Sequence, residues 1–390
     1  MRVLTFTSLF PSAVQPVLGI FIYQRIAHVA RRPGNAVQVV APVPYFPSWL
    51  RWSKWQRYSR VPRQEKIGEL EVYHPRYPLL PKVAMPLHGL LMFLGCLVPV
   101  MRLWKRQRFD CIDAHFVYPD GFAAVLLGKM LGVPVICSAR GTDIHLYPSF
   151  RLIRRMIRWT LRHAAGVIAV SRALKEAMVK LGVAEHQVQV IGNGVDTSRF
   201  APLDRVAARQ ELGLPEQGPL LVSVAALLPH KGHQLLISAV ADLAPRYPEL
   251  KLYCVGDGAF RSQLERLIRE RHLEGRVFLV GARPNEELKL WYNAADLTCL
   301  ASSREGWPNV LLESLACGTP VVATGIGGVP EVIVSPELGV LVEPNARAIA
   351  EGLQSALEKQ WDRQVLAGHA RARPWEVVAA EVERYFAARV

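Results

Sequence analysis

Short, nearly all-apolar runs alternate along this chain with stretches whose apolar residues recur at helical spacing. The pattern predicts strands at residues 2–7, 36–41, 133–138, 166–170 and 188–191. A second series follows at 220–225, 251–255, 277–280, 297–300 and 320–323. Strands buried on both faces and separated by helices form parallel sheets. Two such series predict two doubly wound α/β domains facing across a cleft. The turn-rich segment Asn193-Gly194-Val195-Asp196, followed by Pro202, Gly213 and Pro215, marks the boundary. The expected domains are 1–195 and 196–374, and the helically spaced segment 375–390 is expected to cross back to the first.

Three stretches of the first half depart from this rhythm. Residues 83–101 carry no formal charge and lie between Lys82 and the group Lys105, Arg106 and Arg108. Pro86, Gly95 and Pro99 interrupt the stretch, so a buried or surface-lying helix is expected rather than a span. Residues 49–58 interleave Trp49, Trp52, Trp55 and Tyr58 with Arg51, Lys54 and Arg57, as interfacial segments do. Residues 150–163 set Leu152, Ile153, Met156, Ile157 and Leu161 among five arginines, a basic amphipathic helix.

Charge sharpens this picture. Residues 1–200 hold 27 Lys and Arg against 10 Asp and Glu, a net +17, whereas the whole chain carries +14. The first half alone is therefore expected to meet a polyanion. Aromatic–cation interleaving also suits nucleic acid, but no nucleic-acid module accompanies it. The expected partner is an anionic membrane surface. The six cysteines show no metal-binding spacing and read as small buried hydrophobes in a reducing compartment. The chain starts in a strand pattern without signal-peptide regions, so a cytoplasmic protein is expected, peripheral on the inner face of the cell membrane.

The segment richest in chemistry runs from Ser302 to Ala323. A strand ends near Ala301, and Pro308 suits the first turn of a helix. The amides of Asn309, Val310 and Leu311 are then expected as free donors at a helix N-terminus, where a phosphate binds. Glu305 precedes that helix and Glu313 lies within it. A carboxylate accepts hydrogen bonds from vicinal hydroxyls, so one suits a sugar and the other a ribose diol.

This segment, with Gly306-Trp307-Pro308-Asn309-Val310 and Glu313-Ser314-Leu315-Ala316-Cys317-Gly318, resembles the Glu-x7-Glu motif of the family 4 retaining glycosyltransferases. Several other segments extend the resemblance over nearly the whole chain: Gly19-Ile20-Phe21, Asp113 to Gly121, Arg140-Gly141-Thr142-Asp143, Leu228 to His233, Val255-Gly256-Asp257-Gly258 and Gly325 to Glu331. The family's fold, GT-B, consists of two Rossmann-like domains. Many relatives carry arginine five residues before the lysine at 231; here that position is Ala226, and Arg140 or Arg304 is the candidate replacement.

The resemblance implies metal-independent transfer of a hexosyl group from a nucleotide-diphosphate sugar, which is a substrate and not a cofactor. It implies that Lys231, Glu305 and His115 are catalytic. Gly19, Arg140, Gly256, Gly306, Asn309, Val310, Leu311 and Glu313 join Lys231 and Glu305 in binding the donor, and Asp143 and Asn193 lie on the acceptor side. Domain closure is expected to bring His115, Arg140 and Gly19 over the anomeric carbon. The expected acceptor is a membrane-associated glycan or lipid-linked acceptor in cell-surface polysaccharide synthesis. The alternatives are a sugar-nucleotide epimerase of the same fold and a non-catalytic sugar-binding descendant.

Overall fold

The computed structural model describes residues 1–45, 53–79 and 85–390. The chain divides into two compact units, Met1–Asn193 with Trp375–Val390, and Gly194–Pro374. Among the described residues, the first unit holds an eight-stranded sheet. Its order is Val188–Val190, Gly166–Ala169, Val135–Ala139, Cys111–His115, Arg2–Phe6, Ala36–Val40, Leu70–Tyr73 and Gln64–Ile67. All neighbours are parallel except the last, which turns back antiparallel on Leu70–Tyr73. The chain leaves Arg2–Phe6 toward one edge and resumes on its other side at Cys111–His115, so the strand order reverses between these two.

The sequence pattern finds five of these strands and misses three. Cys111–His115 is wholly buried yet reads Cys-Ile-Asp-Ala-His, and its two polar residues mask it as a strand. The short pair Gln64–Ile67 and Leu70–Tyr73 is half polar, as an edge hairpin should be.

Side-chain alternation gives the first sheet two different faces. Leu4, Phe6, Ile112, Ala114, Val135 and Cys137 join Met92, Cys96, Val100 and Leu103 of helix His88–Arg106, with Ala123, Ala124 and Leu127 of helix Phe122–Leu131. On the opposite face Val3, Cys111, Ile136 and Ile168 pack against Val29 of helix Ile20–Arg31 and against the C-terminal helix Trp375–Ala387. That last helix supplies Trp375, Val378, Val382 and Phe386, and its Tyr385 hydroxyl accepts from the Val167 amide at 2.9 Å. Glu383 ties it to Arg32 and, at 2.7 Å, to Asn35.

The apolar stretch 83–101 becomes the helix His88–Arg106 from its described part onward, with one buried side and one exposed side. Residues 150–163 form the amphipathic helix Arg151–His163. Of the run 49–58, a helix covers Ser53–Ser59, and Trp49 to Trp52 lie outside the described residues.

The second unit carries a six-stranded, all-parallel sheet in the order Val277–Gly281, Lys251–Val255, Leu220–Val224, Leu297–Leu300, Val321–Thr324 and Gly339–Val342. The sequence pattern finds the first five in this order and misses the last, which is only half-buried at the edge. Here the reversal falls between Leu220–Val224 and Leu297–Leu300. In a doubly wound sheet, the loops leaving the carboxyl ends of such strands diverge and open a crevice for a ligand. Cys254, Cys299 and Cys317 lie buried in this unit, as do Cys96, Cys111 and Cys137 in the first.

Candidate active site

In the second unit, the two loops at the strand reversal are joined by direct contacts. The loop after Leu220–Val224 ends in the turn Pro229–Lys231. The loop after Leu297–Leu300 runs from Ala301 to Pro308. The Ser303 amide donates to the His230 carbonyl at 2.8 Å, fixing one loop against the other. The Lys231 ammonium then reaches Glu305 Oε1 at 2.6 Å, and the Ser302 hydroxyl donates to the same oxygen at 2.6 Å. Both partners of the ion pair are mostly buried. Gly327, with φ +53°, lies so close behind this loop that a Cβ there would come within 2.0 Å of the Glu305 carbonyl oxygen. Gly256 borders the same region, against the backbone of Ala225.

Helix Asn309–Ala316 starts directly after this loop, without a side-chain cap. Pro308 sits at the cap rather than inside the first turn. The expectation of three free amides needs correction. The Asn309 amide donates to the Trp307 carbonyl at 3.1 Å and the Leu311 amide to the Pro308 carbonyl at 3.0 Å. The tight turn through Pro308 satisfies these donors locally, so a phosphate must share or displace them. Gly306 leads into that turn from Glu305.

The two glutamates of the motif meet different surroundings. Glu313 is buried and its Oε2 accepts from the Tyr292 hydroxyl at 2.7 Å. Burial pushes its carboxyl up to about 7, against the opposing effects of that hydrogen bond and of Arg199. Arg304 is exposed and Ala226 is exposed. Burial lowers the His230 imidazole, and the cations Lys231 and Arg304 beside it lower it further. Lys231 and Arg304 thus supply the positive charge near Glu305, with His230 kept neutral beside them.

In the first unit, the functional candidates also gather at the carboxyl ends of the central strands. Gly19 has φ +65° and begins helix Ile20–Arg31; a Cβ there would lie 2.1 Å from the Leu9 carbonyl oxygen, so the loop closes only over glycine. His115 ends the strand Cys111–His115 and is fully buried. Its Nε2 lies 2.8 Å from Asp113 Oδ2, and its Nδ1 meets the Arg140 guanidinium. A carboxylate only accepts and a guanidinium only donates, which assigns the proton to Nε2 and the lone pair to Nδ1. Burial lowers His115 to about 4; Asp113 opposes this and Arg140 adds to it. The imidazole is therefore neutral at physiological pH, with both nitrogens occupied.

Arg140 also donates to Asn193 Oδ1 at 3.1 Å. Asp143 accepts from the amides of Val117 at 2.9 Å, Gly141 at 2.8 Å and Arg140 at 3.1 Å. It thereby holds the loops after two neighbouring strands together. Arg140, Asp143, Asn193 and His115 form one connected cluster, and the sequence motifs had named all four.

Three members of this machinery were not singled out from the sequence. Arg25 is 1% exposed and its guanidinium lies 3.6 Å from Asp113 Oδ1. The signal was present: in Ile22, Arg25, Ile26 and Val29 the arginine occupies a core position of the helical stripe. Asp113 lies two residues before His115 and thus on the same face of the strand. Asp120 is buried and accepts from the Ser8 amide, and burial raises its carboxyl to about 7.

Comparison with known proteins gives the family and the fold. The family described as Glycosyltransferase Family 4 matches residues 23–199, and that described as Glycosyl transferases group 1 matches residues 204–373. A Bacillus subtilis protein assigned to teichuronic acid biosynthesis as the glycosyltransferase TuaC is 29% identical over 380 residues, covering 94% of this chain and 92% of its own. Sucrose-phosphate synthase from Thermosynechococcus elongatus superposes with a TM-score of 0.81 at 21% identity, covering 99% of this chain and 98% of its own. Anabaena HepE in complex with UDP-glucose superposes with a TM-score of 0.73 at 20% identity, covering 99% of each chain. The chain belongs to the family 4 glycosyltransferases and has their GT-B fold.

Proposed function

We propose that this protein transfers a hexosyl group, with retention and without a metal, from a nucleotide-diphosphate sugar to a membrane-associated glycan or lipid-linked acceptor. The setting is cell-surface polysaccharide synthesis at the cytoplasmic face of the membrane. The observation that carries the reading is the Lys231–Glu305 pair, at 2.6 Å, at the strand reversal of the second unit. A cation beside a helix N-terminus suits a departing diphosphate, and a carboxylate beside it suits sugar hydroxyls.

In this reading the second unit holds the donor and the basic first unit holds the acceptor. The bond between the anomeric carbon and the diphosphate breaks as the acceptor oxygen bonds to the same face of that carbon. The acceptor proton passes to the departing phosphate, so no side chain need ionise. Lys231 offsets the charge that develops on the diphosphate. Arg304, exposed beside Lys231, supplies the second cationic contact that Ala226 lacks. Glu313 orients the ribose diol. His115, neutral and with both nitrogens held by Asp113 and Arg140, positions the Arg140 guanidinium for the sugar and transfers no proton.

The name of the Bacillus subtilis relative supports a polymer acceptor. The UDP-glucose bound by the HepE neighbour makes UDP-sugars the first donors to test. The deciding experiment incubates the protein with membrane extract and a panel of nucleotide sugars, reading nucleotide release and labelled product. Release of nucleoside diphosphate with sugar incorporated into the membrane fraction is the expected result. Free isomerised nucleotide sugar alone would place the protein among epimerases, and binding without turnover would make it a sugar-binding descendant.

A further inference from the structure

Three helices of the first unit lie side by side over one face of its sheet: His88–Arg106, Phe122–Leu131 and Arg151–His163. The first two share one apolar core, to which Trp159 of the third is added. Phe122 and Trp159 meet with ring centroids 5.2 Å apart, and Gly121, just before the second helix, packs against both Cys137 of the sheet and Thr160 of the third helix. Their remaining sides face away from the sheet.

The outward side of His88–Arg106 is apolar. Leu90 is 41% exposed, Leu94 54%, Val98 52% and Met101 36%, so a hydrophobic ridge runs along the helix at intervals of three and four residues. Exposed apolar ridges of this length are uncommon on a protein that stays in water. Segment Met85–Arg106 contains an 18-residue window with a mean hydropathy of 1.6 and is long enough to cross a bilayer. Its inner side, however, belongs to the folded unit. Met92, Cys96 and Val100 are fully buried, and a Cβ on Gly95 would come within 2.6 Å of the Tyr77 side chain. A helix committed on one side can lie on a membrane but cannot traverse it.

The neighbouring surface is strongly positive. Residues 85–163 contain eleven Lys and Arg and four Asp. Asp113, Asp120 and Asp143 are buried, and Asp110 pairs with Arg2 at 2.9 Å. Arg102, Lys105, Arg106, Lys129, Arg151 and Arg155 are exposed. Phe150 and Leu152 are exposed at the start of the third helix and add apolar contacts among its arginines.

We propose that the outer side of this three-helix layer docks on an anionic lipid bilayer. The ridge Leu90–Leu94–Val98–Met101 enters the interface and the surrounding cations meet lipid phosphates. A hydrophobic ridge framed by cations, on a stretch 85–163 without exposed acids, complements a surface that is apolar below and negative above. The proposal rests on the reading of a membrane-borne acceptor. It gives that reading a place on the molecule, and it fixes which face of the first unit lies against the lipid.

The test is co-sedimentation of the full chain with phosphatidylcholine vesicles with and without phosphatidylglycerol. Wild type binds the anionic vesicles, and added salt weakens binding. The variant Leu90→Gln/Leu94→Gln/Val98→Gln loses about tenfold or more in partitioning, and Arg151→Gln/Arg155→Gln loses binding selectively on anionic vesicles. Both variants keep the wild-type melting temperature and donor hydrolysis, which separates loss of docking from loss of the transfer chemistry. Should the apolar variant unfold, the arginine variant decides alone. Unchanged partitioning of a folded variant overturns the proposal, as does equal wild-type binding to neutral vesicles. So does a dimeric wild type that becomes monomeric in the apolar variant, which would make the ridge a contact between copies. Displacement from vesicles by duplex DNA or RNA at equal charge would assign the cations to nucleic acid instead. A protein that docks as described yet transfers no sugar leaves the surface standing and removes only the transferase reading.

Discussion

Lys231 and Glu305 stand 74 positions apart in the chain and meet at 2.6 Å. They meet because the strands before them, Leu220–Val224 and Leu297–Leu300, are hydrogen-bonded neighbours on either side of the reversal in strand order. The pair is neutral as it stands. An incoming diphosphate competes with Glu305 for the ammonium, while sugar hydroxyls compete with Lys231 for the carboxylate. A ligand carrying both groups satisfies both partners at once.

Replacing Lys231 by alanine removes the cation facing the proposed leaving group. The expected loss in kcat/KM is about 100- to 1,000-fold, the range found when one charge-stabilising group is deleted. The pair is mostly buried, so removing the cation leaves the Glu305 carboxylate uncompensated and should also cost stability, on the order of 3 kcal/mol, with a lowered melting temperature. Steady-state kinetics with a saturating acceptor, alongside thermal melting, checks both halves. Near wild-type turnover in Lys231→Ala would remove the lysine from the chemistry.

His115 gives a prediction in pH. Its imidazole falls from 6.5 to about 4 on folding, mainly through burial. A depressed value means that the unfolded chain binds the proton first, so the stability this group contributes is present above about 6.5 and is lost as pH falls toward 4. The rate should accordingly show no limb near 6.5 from this residue. If wild type has an inflection there that disappears in His115→Asn, the imidazole does move a proton and the positioning role is wrong.

Glu313 has the opposite sign. Its carboxyl rises from 4.5 to about 7, so its favourable contribution holds below about 4.5 and is lost as pH rises through 7. Glu313→Gln keeps an acceptor for the Tyr292 hydroxyl and cannot ionise. The variant should therefore gain on wild type between pH 5 and pH 8, by up to roughly 3 kcal/mol. Denaturant titrations at the two pH values measure the difference, and a gap that stays constant with pH would refute the buried-acid reading.

Arg25 and Asp113 form a buried pair beneath His115, at 3.6 Å. Arg25→Met leaves Asp113 without its cation in a dry site and should cost about 3–5 kcal/mol. Arg25→Met/Asp113→Asn removes both charges and should recover most of that loss. Activity stays low in the double variant because Asp113 also orients His115 at 2.8 Å. Additive stability losses in this cycle would show that the two residues do not depend on each other.

Gly327→Ala probes the support behind Glu305. The new Cβ would come within 2.0 Å of the Glu305 carbonyl oxygen, at a φ of +53°. The loop must shift, and the Lys231–Glu305 contact should lengthen with it. A rise in donor KM together with a fall in kcat is expected, and an unchanged enzyme would mean that this loop position does not matter.

The sequence by itself determined the class of fold, because buried parallel strands are written as unbroken apolar runs and most were legible. It also pointed to the loops proposed to carry the chemistry, since Lys231, Glu305, Arg140 and Asp143 sit in motifs that resemble those of the family. Cys111–His115 escaped because two polar residues, Asp113 and His115, lie inside a buried strand. Tertiary structure alone decided the pairings. That Lys231 meets Glu305, that Arg25 pairs with Asp113 and that Glu313 accepts from Tyr292 depend on strand order and helix packing, which bring together residues distant in the chain. Tertiary structure also decided the protonation states, because burial and neighbouring charge set them. It likewise decided that one side of His88–Arg106 stays uncovered, a fact concealed by the uncharged run 83–101 in its sequence.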